Sequence, residues 1–331
     1  MAALSIFVIV SFLPSIIALD PYSKFIQLNL PSGATGPESV ALDSRNEGPY
    51  CAISDGRVLK YIDSNTGFVD FAYTSPKRTK QLCDGTTDAN LGPTCGRPLG
   101  FSFDNLINVL YIVDAFLGLF KVGPDGGLAT LLANSAGGVK LNFLTGIDVN
   151  PITRDVYITD ASLTYDLRNI TQPNLVTDSS GRLIKYNPRK NEVTVLQEGL
   201  SVPIGPAVSF DGSFVLFSEY SAKRVVKYWL LGPKANTSEV LRDLPGNPSK
   251  VKRASNVGEF WVAVDINVQQ PRFTTPYGYK IDSFGNLLFV KDLEDHYYNV
   301  PVSVVQEYFG TTLLVGSRGE NFVGIYKKTL F

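Results

Sequence analysis

Residues that most often carry catalysis or bind metals are scarce in this sequence. Its 331 residues include a single histidine, His296, and three cysteines, with no CxxC pair. Zinc sites need several closely spaced Cys and His, so no metal site of that kind is predicted. A Ser-His-Asp triad stays open, although His296 lies in no nucleophile motif and no Gly-x-Ser-x-Gly occurs. Gly-rich turns lack phosphate-loop spacing, so no cofactor is predicted.

Three acidic residues recur at the same position of successive apolar segments. Asp114 follows VLYIV, Asp160 follows VYIT, and Glu219 follows FVLFS. Carboxylates at strand ends readily accept hydrogen bonds from nearby backbone, so the pattern predicts a structural role around a channel. Glu219, which precedes Tyr220, is kept as a candidate functional carboxylate.

The cysteines indicate an oxidising compartment. Cys83 and Cys95 flank the polar loop CDGTTDANLGPTC, which such a compartment would close into a disulfide. Cys51 lies in an apolar, strand-like run and is interpreted as a buried thiol. Asn169 and Asn236 each begin a glycosylation sequon in polar, turn-like surroundings.

The N-terminal residues indicate secretion. Residues 4–18 are almost wholly apolar and end at Ala18, which predicts a signal peptide at 1–18 and a single mature domain at 19–331. No Lys or Arg precedes the apolar run, so a buried first strand or helix stays open. The stretch is too short to span a membrane, and no later segment is apolar enough. We expect a vacuolar or extracellular protein.

Composition favours a large β-rich core and argues against polyanionic partners. Hydrophobic residues make up 44% and charged residues 18%, with 16 Tyr and 20 Phe, which suit pleated, half-buried strands. The net charge is −1 with dispersed Lys and Arg, whereas nucleic acids and acidic membranes demand a concentrated basic face. We expect a monomer.

A strand–turn–strand phrase recurs along the chain and predicts the fold. Its six copies begin near residues 49, 109, 155, 213, 258 and 312. A period of about 50 residues built from strands is typical of a β-propeller. The sequence therefore predicts an all-β, six-bladed propeller. Residues 164–178 interrupt the third unit and are interpreted as a short helical or loop lid over the channel.

Several of these segments resemble a known plant family. The motifs GRVLKY (56–61), LCDGTTDANLGPTCGRPLG (82–100), LYIVDA (110–115), GRLIKYNP (181–188) and VVKYWLLGPK (225–234) resemble, in order, strictosidine synthase and its relatives. The resemblance implies a six-bladed propeller in which the family's cysteine pair corresponds to Cys83 and Cys95. It also implies a Pictet–Spengler condensation of tryptamine with secologanin.

The resemblance makes Ser303 the decisive position. Aligning on Val305-Gln306-Glu307 places Ser303 where the family carries its catalytic Glu. A serine hydroxyl neither holds an ammonium ion by charge nor titrates near neutrality. We therefore expect the family's condensation to be weak or absent. In this ungapped alignment the family's pocket His corresponds to Pro301. An alternative alignment with a longer loop places His296 at the family's pocket His and Tyr298 at the catalytic Glu.

The resemblance also implies the wall of a substrate pocket in the central channel, apolar with a few hydroxyls. Glu294 and Asp295, close to His296 in the sequence, are further acidic candidates. Their segment, DLEDHYY, is interpreted first as a solvated loop. The implied pocket suits a small aromatic or terpenoid-like ligand. Its predicted members are Leu99, Phe143, Thr145, Val202, Tyr220 and Ser303, with His296 as a further candidate.

More distant propeller relatives are calcium-dependent lactonases and esterases, and their ligand set is mostly missing. Glu38 matches the first-blade ligand, but Thr145 and Ile204 stand where two Asn ligands are expected. Calcium needs six to eight oxygens, so Glu38 is interpreted as a lone remnant and no metal is predicted. Three functions stay open: an enzyme of plant specialised metabolism, a non-catalytic ligand-binding or defence-related propeller, and a hydrolase.

Overall fold

The computed structural model describes residues 20–270 and 272–329, with only the backbone of Arg272. The predicted signal peptide at 1–18 lies outside the described residues. The first twelve strands are β1 (Lys24–Asn29), β2 (Ser39–Ala41), β3 (Tyr50–Ala52), β4 (Arg57–Tyr61), β5 (Phe68–Tyr73), β6 (Pro98–Asp104), β7 (Val109–Asp114), β8 (Gly118–Val122), β9 (Gly127–Leu128), β10 (Thr130–Ala133), β11 (Ser135–Ala136) and β12 (Val139–Lys140).

The remaining strands continue the same meander to the C-terminus. They are β13 (Leu144–Val149), β14 (Val156–Asp160), β15 (Gly181–Asn187), β16 (Glu192–Leu200), β17 (Pro203–Val208), β18 (Phe214–Glu219), β19 (Arg224–Trp229), β20 (Ser238–Asp243), β21 (Asn247–Arg253), β22 (Glu259–Gln269), β23 (Arg272–Asp282), β24 (Leu287–Asp292), β25 (Val304–Tyr308), β26 (Thr312–Gly316) and β27 (Phe322–Lys327).

Helices are short and lie between strands. The α-helices are α1 (Lys80–Cys83), α2 (Gly92–Cys95) and α3 (Glu294–Tyr297), and the 3₁₀ helices are Ala89–Leu91, Leu167–Asn169 and Pro173–Thr177. No helix among the described residues is long and apolar enough to cross a membrane.

The strands form six blades, which confirms the predicted six-bladed propeller. Blades 1 to 5 are β2–β5, β6–β7–β8–β10, β13–β16, β17–β20 and β21–β24, and β9 adds to the outer edge of blade 1. The first strands of neighbouring blades contact one another in a closed ring, which leaves a central channel. The recurring phrase of the sequence corresponds to the second and third strands of each blade.

The N-terminal strand closes the ring. Blade 6 combines β25, β26 and β27 with β1, which pairs antiparallel to β27 from Lys24 opposite Lys327 to Asn29 opposite Phe322. Such pairing covers the outer edge of the last blade with a strand from the other end of the chain. The pairing of β1 with β27 thereby closes the ring of blades.

Apolar side chains fill the space between blades. The second strands β14 and β18 are buried along their whole length because a neighbouring blade covers each face. Tyr50, Phe101 and Ile112 belong to one such layer between blades 1 and 2. This burial supplies the main stabilisation of the ring.

The three recurring acids connect the strands of their own blades. Asp114, Asp160 and Glu219 end the second strands of blades 2, 3 and 4, and each accepts a hydrogen bond from the backbone just before or at the start of the first strand. The N–H donors are those of Arg97, Phe143 and Ser201, at 2.7, 2.8 and 2.8 Å. These bonds agree with the structural role expected from the sequence.

Candidate functional site

A cavity of ≈ 240 Å³ occupies one end of the central channel. Its wall comes from the beginnings of the first strands and from the turns that follow the second strands, so all six blades and the lid contribute. One part is apolar and the other is charged. The apolar part is formed by Leu99, Phe143, Leu167, Leu175, Val202 and Ile204, and the polar part by Glu38, Lys250, Asp265, Ser303 and Arg318.

The insertion in blade 3 covers the apolar part. The two 3₁₀ helices between β14 and β15 place Leu167 and Leu175 in a cluster with Phe143 and Val202, where all four are buried. Asp166 caps the first of these helices by accepting the N–H of Arg168 at 2.9 Å. The insertion thus forms the lid that the sequence predicts, held by apolar packing on the cavity.

Glu38 and Lys250 form an ion pair in the polar part. Lys250 Nζ lies 3.2 Å from Glu38 Oε1, and the lysine side chain is almost wholly buried. Burial alone would raise the pKa of Glu38, but Lys250, Arg318 and Arg97 together hold it below its usual value. Burial also lowers the pKa of Lys250, against the attraction of Glu38. Glu38 is therefore an ionised carboxylate whose charge is balanced by the Lys250 ammonium.

Asp265 is a second buried carboxyl on the same cavity. It ends the buried part of β22, and its Oδ1 accepts the N–H of Val302 at 3.0 Å. Burial raises the pKa of Asp265 to about 7, against the effects of the Val302 N–H and of Arg318. Both protonation states are therefore populated near neutral pH, as a proton-transfer group requires.

Ser303 lies beside these groups. Its Oγ accepts the backbone N–H of Arg318 at 3.2 Å, and its carbonyl accepts the N–H of Lys250 at 3.2 Å. The hydroxyl keeps its own proton for donation to a ligand, but it supplies no charge. The charged groups at this end of the cavity come instead from blades 1, 5 and 6.

Comparison with known proteins identifies the family. The family model described as "Strictosidine synthase" matches residues 145–233. The chain is 39% identical to the Arabidopsis thaliana protein STRICTOSIDINE SYNTHASE-LIKE 11 over 98% of this chain and 97% of that protein. It is 40% identical to strictosidine synthase of Catharanthus roseus over 92% of this chain and 86% of the synthase.

The chain belongs to the strictosidine synthase family.

Solved structures with little sequence similarity share its fold. A gluconolactonase from Xanthomonas campestris superposes with a TM-score of 0.63 at 14% identity, over 92% of this chain and 89% of the other. Regucalcin from Agrobacterium tumefaciens, a calcium-binding protein, gives 0.62 at 14% identity, over 93% and 96%. These likenesses concern the propeller alone.

In this strictosidine synthase-like protein, six of the seven residues predicted to form the pocket lie on the cavity. They are Leu99, Phe143, Thr145, Val202, Tyr220 and Ser303. Their contact with a substrate stays a prediction. Sequence reasoning passed over Asp265, Lys250 and Arg318, although GEFWVAVDIN places Asp265 at the same phase as the three recurring acids.

The seventh residue, His296, lies away from the cavity of this family member. Its ring stacks on Phe25 of β1, with centroids 3.6 Å apart and planes 9° apart, at the outer side of blade 6. Burial lowers its pKa. The neighbouring acids Glu294 and Asp295, and Tyr298, also lie off the cavity wall. His296 thus packs on an aromatic ring of blade 6 and does not line this cavity.

The positions that the calcium-dependent relatives suggested also meet at this cavity. Glu38 is paired with Lys250, the Thr145 hydroxyl donates to the Pro203 carbonyl at 2.9 Å, and Ile204 offers no ligand atom. Among residues 20–270 and 272–329, no three His, Cys, Asp or Glu side chains are grouped as metal ligands would be.

The remaining predicted sites of this family member lie elsewhere. Cys83 and Cys95 form a disulfide between α1 and α2, and Cys51 is a buried thiol. Asn236 is exposed between β19 and β20, whereas the Asn169 side chain accepts the Asp166 N–H at 3.1 Å within the lid. Glycosylation of either residue stays a prediction, and the geometry favours Asn236.

Proposed function

We propose that this protein is an enzyme that catalyses addition to the carbonyl group of a small aromatic or terpenoid-like molecule. The observation that carries the proposal is the two-part cavity, in which an apolar pocket under a lid ends at hydrogen-bond donors. Arg318 has no ion-pair partner among the described residues, and the Ser303 hydroxyl keeps a proton to donate. Donors of this kind suit a carbonyl oxygen, whose negative charge grows during addition.

The cavity size limits the substrate. Pockets for drug-sized ligands commonly measure about 300–1,000 Å³, so ≈ 240 Å³ accommodates one small ring-bearing molecule. The family suggests condensation of an amine with an aldehyde, but Ser303 stands at the position aligned with the catalytic Glu. We therefore propose a carbonyl substrate other than secologanin, within plant specialised metabolism. A calcium-dependent hydrolase is less favoured because Lys250 already neutralises Glu38.

The disulfide supports passage through the secretory pathway, with the vacuole or the cell exterior as destination. We propose that the mature protein acts there as a monomer. Treatment of the purified plant protein with a glycosidase, followed by mass measurement, tests the proposed passage through the secretory pathway. A mass decrease at Asn236 supports secretory passage, and an unprocessed N-terminus together with an unmodified Asn236 contradicts it.

Ligand binding tests the proposed site. We expect 4-phenyl-2-butanone, an aromatic ketone, to raise the melting temperature of the wild type and to lose this effect in Leu99→Trp, which fills the apolar part. Leu106→Trp, on an exposed turn of the same blade, is the matched control and should keep the effect. Failure of this ketone and of cinnamaldehyde to bind the wild type contradicts the proposal.

Turnover separates the enzyme from a binding protein. Tryptamine with secologanin should yield little product with the wild type, and a robust yield contradicts the expectation drawn from Ser303. Ser303→Glu should raise the yield if only the carboxyl is lacking. Binding of ketones and aldehydes without conversion, in the presence of simple amines, supports the non-catalytic alternative.

A further inference from the structure

Asp265 occupies the same structural position as the three acids that hold their blades together. In the strand register, Asp114, Asp160 and Glu219 each lie opposite the first residue of the blade's first strand, and Asp265 lies opposite Asn247 in the same way. Blade 5 thus has its own copy of the recurring carboxylate.

Asp265 does not make the bond that its three counterparts make. Each counterpart accepts an N–H from its own blade, whereas Asp265 accepts the Val302 N–H just before blade 6. Asp160 and Glu219 also bind an arginine, Arg182 or Arg224. The Asp265 carboxyl has no ion pair and no other hydrogen bond among the described residues. Its Oδ2 therefore stays available on the cavity wall.

The carboxyl of Asp265 lies beside the position that lacks one. Val302, its hydrogen-bond partner, directly precedes Ser303, and both Asp265 and Ser303 line the cavity. The serine carries no titratable proton in the neutral range, and the aspartate next to it does. A carboxyl is thus present at this end of the cavity, but it comes from blade 5.

We propose that Asp265 is the residue that transfers protons during carbonyl addition, in place of the acid missing at Ser303. This inference rests on the proposed function. In the step, an amine nitrogen forms a bond to the carbonyl carbon while the C=O π electrons move to oxygen. Asp265 gives its proton to that oxygen, and its carboxylate then takes the proton released by the nitrogen. The product is a carbinolamine, and no external oxidant or reductant is needed.

The titratable and charged groups around Asp265 are compatible with this role. Arg318 lowers the pKa of Asp265 and Glu38 raises it, while Lys250 neutralises Glu38. Burial raises the pKa of the Tyr220 phenol, so this neighbour stays protonated near neutrality. Asp265 is therefore a group at this site that changes charge near pH 7.

The dependence of ketone binding on pH tests the proposal. Protonated Asp265 donates a hydrogen bond to the carbonyl, so 4-phenyl-2-butanone should bind the wild type about tenfold more tightly at pH 6 than at pH 8. Asp265→Asn cannot titrate and should bind equally at both pH values. Asp295→Asn, exposed and away from the cavity, should keep the wild-type ratio. Circular dichroism verifies that each variant is folded.

The outcomes separate this inference from the proposed function. If neither the ketone nor cinnamaldehyde binds the wild type at either pH, the proposed function fails and the role of Asp265 fails with it. If it binds with the same affinity at both pH values, or if Asp265→Asn keeps the tenfold ratio, only the role of Asp265 is overturned. Asp265→Asn/Ser303→Glu moves the carboxyl from blade 5 to blade 6, and restored pH dependence in this double variant supports the proposal further.

Discussion

Lys250 Nζ lies 3.2 Å from Glu38 Oε1, so a single buried ion pair links blade 5 to blade 1 across the channel. Glu38 Oε2 has no hydrogen-bond partner among the described residues. Lys250 therefore depends on Glu38, because removing the carboxylate leaves the buried lysine without a counter-charge. The pair both holds the channel together and sets the charge at the polar end of the cavity.

Removing the carboxylate alone should be costly. We expect Glu38→Gln to lower the free energy of unfolding by about 3 kcal/mol at pH 7, measured by urea denaturation. Glu38→Gln/Lys250→Met, which removes both charges, should recover most of the loss. Glu239→Gln, at an exposed pair with Lys234, should cost about 1 kcal/mol or less. A double variant no more stable than Glu38→Gln contradicts the coupling.

Asp265 should reduce stability above neutral pH. Its pKa is raised from 3.8 to about 7 in the folded protein, so the folded state holds its proton more tightly than the unfolded state. The contribution of Asp265 to stability is full below about pH 4 and is lost as pH rises to about 7. Asp265→Asn should therefore exceed the wild type by about 1–4 kcal/mol in free energy of unfolding at pH 8, and match it at pH 4.

Urea denaturation at both pH values measures this difference, which requires no ligand. Asp295→Asn serves as the control and should leave stability unchanged at pH 4 and pH 8. An Asp265→Asn variant that is less stable than the wild type at pH 8 contradicts a raised pKa.

Lys252 should reduce stability below pH 8. It lies on a second cavity, of ≈ 330 Å³, at the opposite end of the channel from the lid, and it has no ion pair among the described residues. Burial lowers its pKa from 10.5 to about 8, so the unfolded state binds the proton more tightly. Lys252→Met should raise the free energy of unfolding by up to about 3 kcal/mol at pH 7, and the gain should shrink between pH 8 and pH 10.5.

Lys121→Met, on an exposed strand position, is the matched control and should show neither effect. Denaturation curves at pH 7 and pH 10 suffice. Equal gains for Lys252→Met at the two pH values would show that packing, not charge, is responsible.

The disulfide should stabilise the loop beside blade 1. Cys83 and Cys95 are 12 residues apart, and closing a loop of this length contributes about 3 kcal/mol in the chain-entropy model. A reductant should lower the melting temperature of the wild type and leave Cys83→Ala/Cys95→Ala unchanged. The buried thiol Cys51 remains in both proteins, so it cannot account for a difference. A wild type insensitive to reductant contradicts the prediction.

Most of the fold could be predicted from the sequence because its units are local. Each recurring phrase encodes the second and third strands of one blade, whose pairing needs only a short turn. The role of β1 could not be predicted this way, since its partner β27 lies some 300 residues further along the chain. Ring closure joins these ends, and no local pattern indicates it.

The sequence alone indicates the six blades and the cysteine pair, and it predicts that Ser303 stands where the family carries its acid. The tertiary structure is needed to show that Asp265, Lys250 and Ser303 line one cavity and that His296 lies away from it. The sequence places Asp265 in phase with Asp114, Asp160 and Glu219, which indicates the same strand position for all four. Whether its second carboxyl oxygen stays free depends on which backbone N–H groups lie close enough to bond it. The packing of neighbouring blades around the channel sets those distances.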